Sequence, residues 1–268
     1  MKKIVLIWDF DGFIGAVNST YPYNYDHTWH NRELEWIDKA LTFMKSRDIV
    51  STFAITGFTG EAGLTPYTCP SIIDNISGLG HEIASHSWKH EWIPKFKEDQ
   101  IRKSIKRSKL ILESVTANRQ DLVGFVPPHN RPYTWYRRCA FSFGDLDRFP
   151  LLPILDIGKL IKLLKGAGYK WLRISYRPLW RKLLGLASIQ RVYTFNGLLI
   201  LQNHHNGFDR EYLDYILNSD NEFYVVSCHP IMLSREGSVE SWENFKYFVD
   251  TLLDIGDCQF IRPSDLIK

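Results

Sequence analysis

Apolar residues gather in eight short runs, near residues 3 to 8, 51 to 56, 81 to 85, 122 to 126, 169 to 174, 197 to 203, 222 to 228 and 257 to 261. Runs this short, in which Val, Ile, Leu and Phe recur, predict strands. Between them lie stretches with apolar residues at helical spacing, clearest at 32 to 46, 96 to 116, 156 to 166 and 238 to 254. In the first of these, Leu34, Ile37, Leu41 and Met44 recur every three or four positions, the period of one helix face. Gly166 and Gly168 stop the third before Tyr169 begins a strand. Strand and helix in alternation predict an α/β architecture.

Several strand ends carry reactive groups. The run Lys3-Ile4-Val5-Leu6-Ile7-Trp8 leads straight into Asp9-Phe10-Asp11-Gly12. In α/β folds with parallel strands, chemistry collects at the C-terminal strand ends, and period-two alternation puts Asp9 and Asp11 on one side of an extended strand. A second run, Glu82-Ile83-Ala84, leads into His86-Ser87-Trp88-Lys89-His90, where two imidazoles four residues apart share one face of a helical turn. Paired histidines are commonly plain surface or core residues, and a strand-end aspartate commonly caps a turn. Together they offer the His2Asp donor set of a metal site, with the second carboxylate as a base toward a metal-activated water. His229 ends a third run, Phe223-Tyr224-Val225-Val226. An imidazole of near-neutral pKa there suits a general acid.

These motifs, in this order, resemble those of the polysaccharide deacetylases, the NodB-like carbohydrate esterases. Trp8-Asp9-Phe10-Asp11-Gly12 is similar to the family's first motif and the residues from Gly80 to His90 to its second. Ser51 to Gly57 is similar to its second strand, Gly124-Phe125-Val126-Pro127-Pro128 to its proline motif, and Val225 to Pro230 to its last histidine strand. The resemblance implies a distorted (β/α) barrel, taken as a single domain over residues 1 to 268, and hydrolysis of an N-acyl group from an amino sugar. Carried over, Asp9 is the general base, Asp11, His86 and His90 the metal ligands, and His229 the general acid, on a divalent ion: zinc first, then cobalt or nickel. Trp88, Pro128, Arg131, Tyr133 and Trp135 are the residues expected to meet the sugar.

The chain also departs from the family pattern. Phe10 separates two aspartates that usually adjoin, so base and ligand roles are open to exchange between Asp9 and Asp11. The proline motif's arginine, which holds the catalytic base, is Val126 here, and Arg131 is the nearest substitute. Gly144-Asp145-Leu146-Asp147 falls near the place of the fourth motif. A non-catalytic carbohydrate binder on the same scaffold is therefore the alternative. A strand running into Asp-x-Asp-Gly also opens the haloacid-dehalogenase-like phosphatases, with Ile55-Thr56-Gly57 as a second motif, but that reading leaves His86, His90 and His229 without a task. A Cys228-His229 nucleophile pair fails because adjacent strand residues face opposite ways.

Composition narrows the setting. With 268 residues, 44% of them hydrophobic, the chain can bury a large core, and no low-complexity linker interrupts it. No run of about 18 apolar residues suggests a membrane span. The first strand begins at residue 3, leaving no room for a secretory signal, and Cys69, Cys139, Cys228 and Cys258 show no paired spacing; both point to the cytoplasm. A cytoplasmic sugar deacylase is expected to act on a nucleotide-linked or polyprenyl-linked intermediate of lipopolysaccharide O-antigen or capsule. The net charge of +3 is uneven: residues 157 to 208 hold nine Lys and Arg and no acid. Within them, residues 176 to 186 mix basic, aromatic and aliphatic side chains, a composition suited to peripheral contact with an anionic inner-membrane face or equally to holding a diphosphate. No nucleic-acid-binding module is recognisable.

Overall fold

Strand β1 (Lys2–Phe10) organises the molecule because both of its edges and both of its faces are covered. The computed structural model describes residues 1–19, 27–93, 96–130, 157–174, 184, 191–202 and 205–267. Chain order after β1 is α1 (Gly12–Ser19), α2 (His27–Ser46), β2 (Thr52–Ile55), α3 (Pro70–Gly78), β3 (Glu82–Ser85), α4 (Glu98–Val115) and β4 (Gly124–Phe125). There follow α5 (Ile157–Gly166), β5 (Trp171–Ile174), β6 (Arg191–Phe195), β7 (Leu198–Gln202), α6 (Arg210–Asn218), β8 (Phe223–Cys228), α7 (Trp242–Ile255) and β9 (Cys258–Phe260). All eight expected strands are present.

The strands form one sheet in the order β6-β7-β5-β4-β3-β2-β1-β8, with β9 beside the N-terminal half of β1. Every pairing is parallel except the β6–β7 hairpin. The sheet curls into an open, distorted barrel of the NodB type, with helices outside. Alternation along β1 separates two cores. Ile4, Leu6, Trp8 and Phe10 face the helices, where Trp8 lies 5.1 Å edge-on to Phe245 of α7 and 6.0 Å from the Phe53 ring. Val5 and Ile7 face the barrel interior with Ala54, Ala84, Val126, Trp171, Leu201 and Val225. Each large side chain so buried contributes about 1.5–3 kcal/mol.

One interior layer decides what the barrel can hold. Asp9 is in register with Ala54, Ala54 with Ala84, Ala84 with Gly124, and Gly124 with Trp171. Three small residues in a row leave space for a single indole. The Trp171 ring crosses Gly124, and its Nε1 donates to Glu82 Oε1 at 2.7 Å. Glu82 Oε2 in turn accepts from the Ser264 backbone N–H at 3.1 Å and hydroxyl at 3.0 Å. A Cβ on Gly124 would fall within the indole. We therefore expect Gly124→Ala to overpack the barrel and lower unfolding free energy by roughly 1–3 kcal/mol, read from the urea midpoint; an unchanged midpoint would refute this account of the layer.

Three helices and one strand were not foreseen. Helix α3 opens with Pro70 at its first turn, where a missing N–H costs nothing, and the Asp209 side chain caps α6 by accepting from Tyr212 N at 2.8 Å. Helix α1 occupies residues directly behind the Asp-x-Asp-Gly motif. Strand β6 lies at a sheet edge and is largely exposed, so it carries no continuous apolar run. Leu184 is the one described residue of segment 176–186, and it is exposed. No helix among the described residues is long and apolar enough to cross a membrane.

Candidate active site

The C-terminal ends of β1, β3, β5 and β8 converge on one mouth. Asp9 continues the inward parity of Val5 and Ile7 and is 3% exposed. Past the strand end, Asp11 is held through its backbone: Thr56 Oγ1 donates to Asp11 O at 3.0 Å. Gly12 then turns the chain into α1 with φ of 63°, and a Cβ there would press on Thr59 Oγ1. Thr56 thus supports the first motif from beside it.

His86 and His90 reach the same carboxylate. His86 Nε2 lies 3.2 Å and His90 Nε2 3.3 Å from Asp11 Oδ1. The segment between them is a turn and not the helical turn its spacing predicts. Ser87 and His90 adopt left-handed backbone, with φ of 64° and 61°. The rings still converge, because β3 aims the first inward and the turn brings the second back.

The donor set fits a cation. His86 Nδ1 lies 2.8 Å from Val126 O, and a carbonyl only accepts, so Nδ1 carries the hydrogen. In the neutral ring the Nε2 lone pair then faces a carboxylate oxygen, an unfavourable meeting unless a positive charge lies between them. Neither His86 Nε2 nor Asp11 Oδ1 has a hydrogen-bond partner among the described residues. Asp11, His86 and His90 are also the one group of ligand atoms among those residues clustered as a metal site requires, all within 4.8 Å of one another. Burial pushes the Asp11 carboxyl up, but positive charge on His90 and His86 would outweigh it and hold the carboxyl well below the usual carboxylate range.

An arginine from another strand meets Asp9. Arg173 on β5, fully buried, donates from Nη2 to Asp9 Oδ2 at 2.6 Å. Burial pushes the Asp9 carboxyl up, and Arg173, aided by His86 and His229, brings it below its ordinary value. Its signal in the sequence is that it is the sole charge in the otherwise apolar stretch Trp171–Ile174. Arg131, the substitute expected from sequence, lies outside the described residues, as do Tyr133, Trp135 and residues 144 to 147.

His229 follows β8 with inward parity, whereas Cys228 lies in the outer core, as alternation requires. Its Nε2 is 4.0 Å from Asp9 Oδ2, and its Nδ1 is 3.0 Å from Glu240 Oε2. Burial opposes the imidazolium, but the bond to Glu240 and the charges of Glu240, Asp9 and Asp11 raise its pKa to about 9. His229 therefore holds a proton at neutral pH. Trp88 is turned away from a sugar-stacking role. It is 7% exposed, with the Arg107 guanidinium 4.0 Å over its ring and Phe58 edge-on at 5.6 Å. Pro128, also buried, starts the short turn that places His129, whose ring is 4.7 Å from that of His90.

A barrel whose mouth joins two histidines, two aspartates and a third histidine defines a class by its fold: proteins built like the NodB-like carbohydrate esterases. The family profile described as polysaccharide deacetylase matches residues 22–138. A peptidoglycan-N-acetylglucosamine deacetylase of Bacillus cereus is 31% identical over 100 residues, 37% of this chain and 32% of the relative, so the chain's match spans about a third of that protein. The crystal structure of a Mycobacterium smegmatis protein assigned to the polysaccharide deacetylases aligns with a TM-score of 0.65 at 16% identity, over 98% of this chain and 88% of the other. A family 4 acetyl xylan esterase from Clostridium thermocellum, in complex with a cobalt ion, aligns at 0.51 and 15% identity, over 99% and 90%. The profile and the relative show what part of the chain is similar to, and the solved structures show that it shares their fold.

Proposed function

We propose that the protein is a metal-dependent hydrolase that removes an N-acetyl or N-formyl group from an amino sugar. The observation that carries this reading is the meeting of His86 Nε2 and Asp11 Oδ1, with Asp9 on one side and His229 on the other. A divalent ion held by Asp11, His86 and His90, zinc suiting the donors best and cobalt or nickel next, would polarise the amide carbonyl and acidify a water. Arg173 keeps Asp9 ionised and occupies Oδ2, leaving Oδ1, which has no hydrogen-bond partner among the described residues, to take the water's proton. His229 gives the proton on Nε2 to the departing sugar nitrogen as the C–N bond breaks. Water oxygen joins the acyl carbon, and the products are the free amine and acetate or formate.

We further infer that the substrate is linked to a nucleotide or polyprenyl diphosphate and belongs to O-antigen or capsule assembly, which places the protein in the cytoplasm or at the inner face of the membrane. The acid-free basic stretch from Ile157 to Phe208 supports an anionic carrier, and Lys159, Lys162, Lys165 and Lys170 within it are exposed. The test compares acetate release by zinc-loaded protein from UDP-N-acetylglucosamine, a polyprenyl-diphosphate N-acetyl sugar and soluble N-acetylglucosamine oligomers. Faster release from a carrier-linked sugar is expected. Release from oligomers alone would keep the deacylase and discard the carrier; metal bound with no release from any would favour the carbohydrate-binding alternative.

A further inference from the structure

We propose that Glu240 is a positioning residue for His229, fixing which imidazole nitrogen delivers the proton. The inference rests on the deacylase reading and extends it to a residue outside every recognised motif. Glu240 lies in the loop between β8 and α7, just before the Ser241 cap of that helix, and is 7% exposed. Its Oε2 accepts the His229 backbone N–H at 2.6 Å and faces His229 Nδ1 at 3.0 Å. One carboxylate oxygen therefore holds both the main chain and the ring of the same residue.

The loop that carries Glu240 is tied down on two sides. Phe208 N donates to Val239 O at 2.8 Å, and Asn244 Nδ2 of α7 donates to Ser238 O at 2.9 Å. Gly207 packs so closely against Val239 and Glu240 that a side chain there would displace them. Glu240 thus has little freedom to follow the histidine, and the histidine conforms to it.

The chemical consequence follows from the acceptor-only nature of a carboxylate. His229 Nδ1 must carry hydrogen, so proton exchange is confined to Nε2, the nitrogen that faces Asp9. Across the mouth the groups alternate in charge: Arg173, Asp9, His229, Glu240, with separations of 2.6, 4.0 and 3.0 Å. Arg173 braces the base at one end and Glu240 the acid at the other. Nothing around position 240 in the sequence marks this role.

Glu240→Gln keeps the size and an oxygen for the backbone N–H but offers the ring no carboxylate. With ¹⁵N-histidine-labelled protein, two-bond ¹H–¹⁵N spectra should show Nδ1–H with a titrating Nε2 in the wild type and loss of that pattern in the variant. Turnover number should fall about 10²–10⁴-fold, with KM, bound zinc and the circular dichroism spectrum unchanged, and Glu240→Asp should restore part of it. An unchanged tautomer or an unchanged turnover number in Glu240→Gln would overturn the proposal. A zinc-loaded wild type that releases no acyl group would overturn the deacylase reading separately, while the spectra would still decide whether Glu240 governs the ring.

Discussion

Arg173→Met should destabilise the protein by about 3–5 kcal/mol, the penalty typical of leaving one member of a buried ion pair without its partner. The geometry is the severe case: Arg173 is 0% and Asp9 3% exposed, so water cannot replace the lost guanidinium. The pH dependence carries the sharper signature. In the wild type the Asp9 carboxyl titrates below its ordinary value, so its contribution is complete above the unfolded value of about 4 and is lost as pH falls through the folded one. Without Arg173, burial prevails and the folded value rises above the unfolded one. Ionised Asp9 then opposes folding, and the variant loses stability as pH rises from about 4 toward neutrality. Urea unfolding of metal-free wild type and variant across that window should give a difference that widens with pH. A constant difference would mean that Arg173 supports the fold by packing and not by charge. Loaded with zinc, the variant should also show the acidic limb of its rate profile moved to higher pH.

Strands with both faces covered announce themselves as apolar runs, so β1 to β5 and β7 to β9 were legible, while edge strand β6, polar where it meets water, was not. The cluster of Asp11, His86 and His90 was legible as well, although for a partly mistaken reason. Four-residue spacing suggested a helical face, whereas left-handed Ser87 and His90 close a turn that brings the rings together. Contacts made by the barrel itself are different. Arg173 and Asp9 are 164 positions apart, and only the parity and register of β5 against β1 bring them face to face. Val126 directs attention along the chain to Arg131, which lies outside the described residues, whereas Arg173 meets Asp9 from across the barrel. His86 even draws on that departure, since Val126 supplies through its carbonyl the bond that sets the imidazole tautomer. Trp88 illustrates the converse: it is sequence-adjacent to the ligands, yet the turn points it into α4 and under Arg107.

Paired substitutions at the first motif and the histidines should separate metal binding from proton transfer. In His86→Ala, His90→Ala, Asp11 keeps a single carboxylate and no imidazole, so elemental analysis should find about one zinc per chain in the wild type and none in the double variant. Because zinc held by the native state alone stabilises it, a concentration one hundred times Kd should raise wild-type stability by about 2.7 kcal/mol and leave the double variant unmoved. Asp9→Asn should behave in the opposite way. Its Oδ1 has no hydrogen-bond partner among the described residues and Oδ2 belongs to Arg173, so the variant should keep its zinc while turnover drops about 10²–10⁴-fold. Asp11→Asn should lose both. The comparison also settles which aspartate does which task, a question the intervening Phe10 raises. Were Asp9→Asn to shed the metal and Asp11→Asn to retain it, the base would be Asp11. Arg173 would then be bracing a ligand, and the alternating chain from Arg173 to Glu240 would have to be read as scaffold for the metal instead of as the path of the proton.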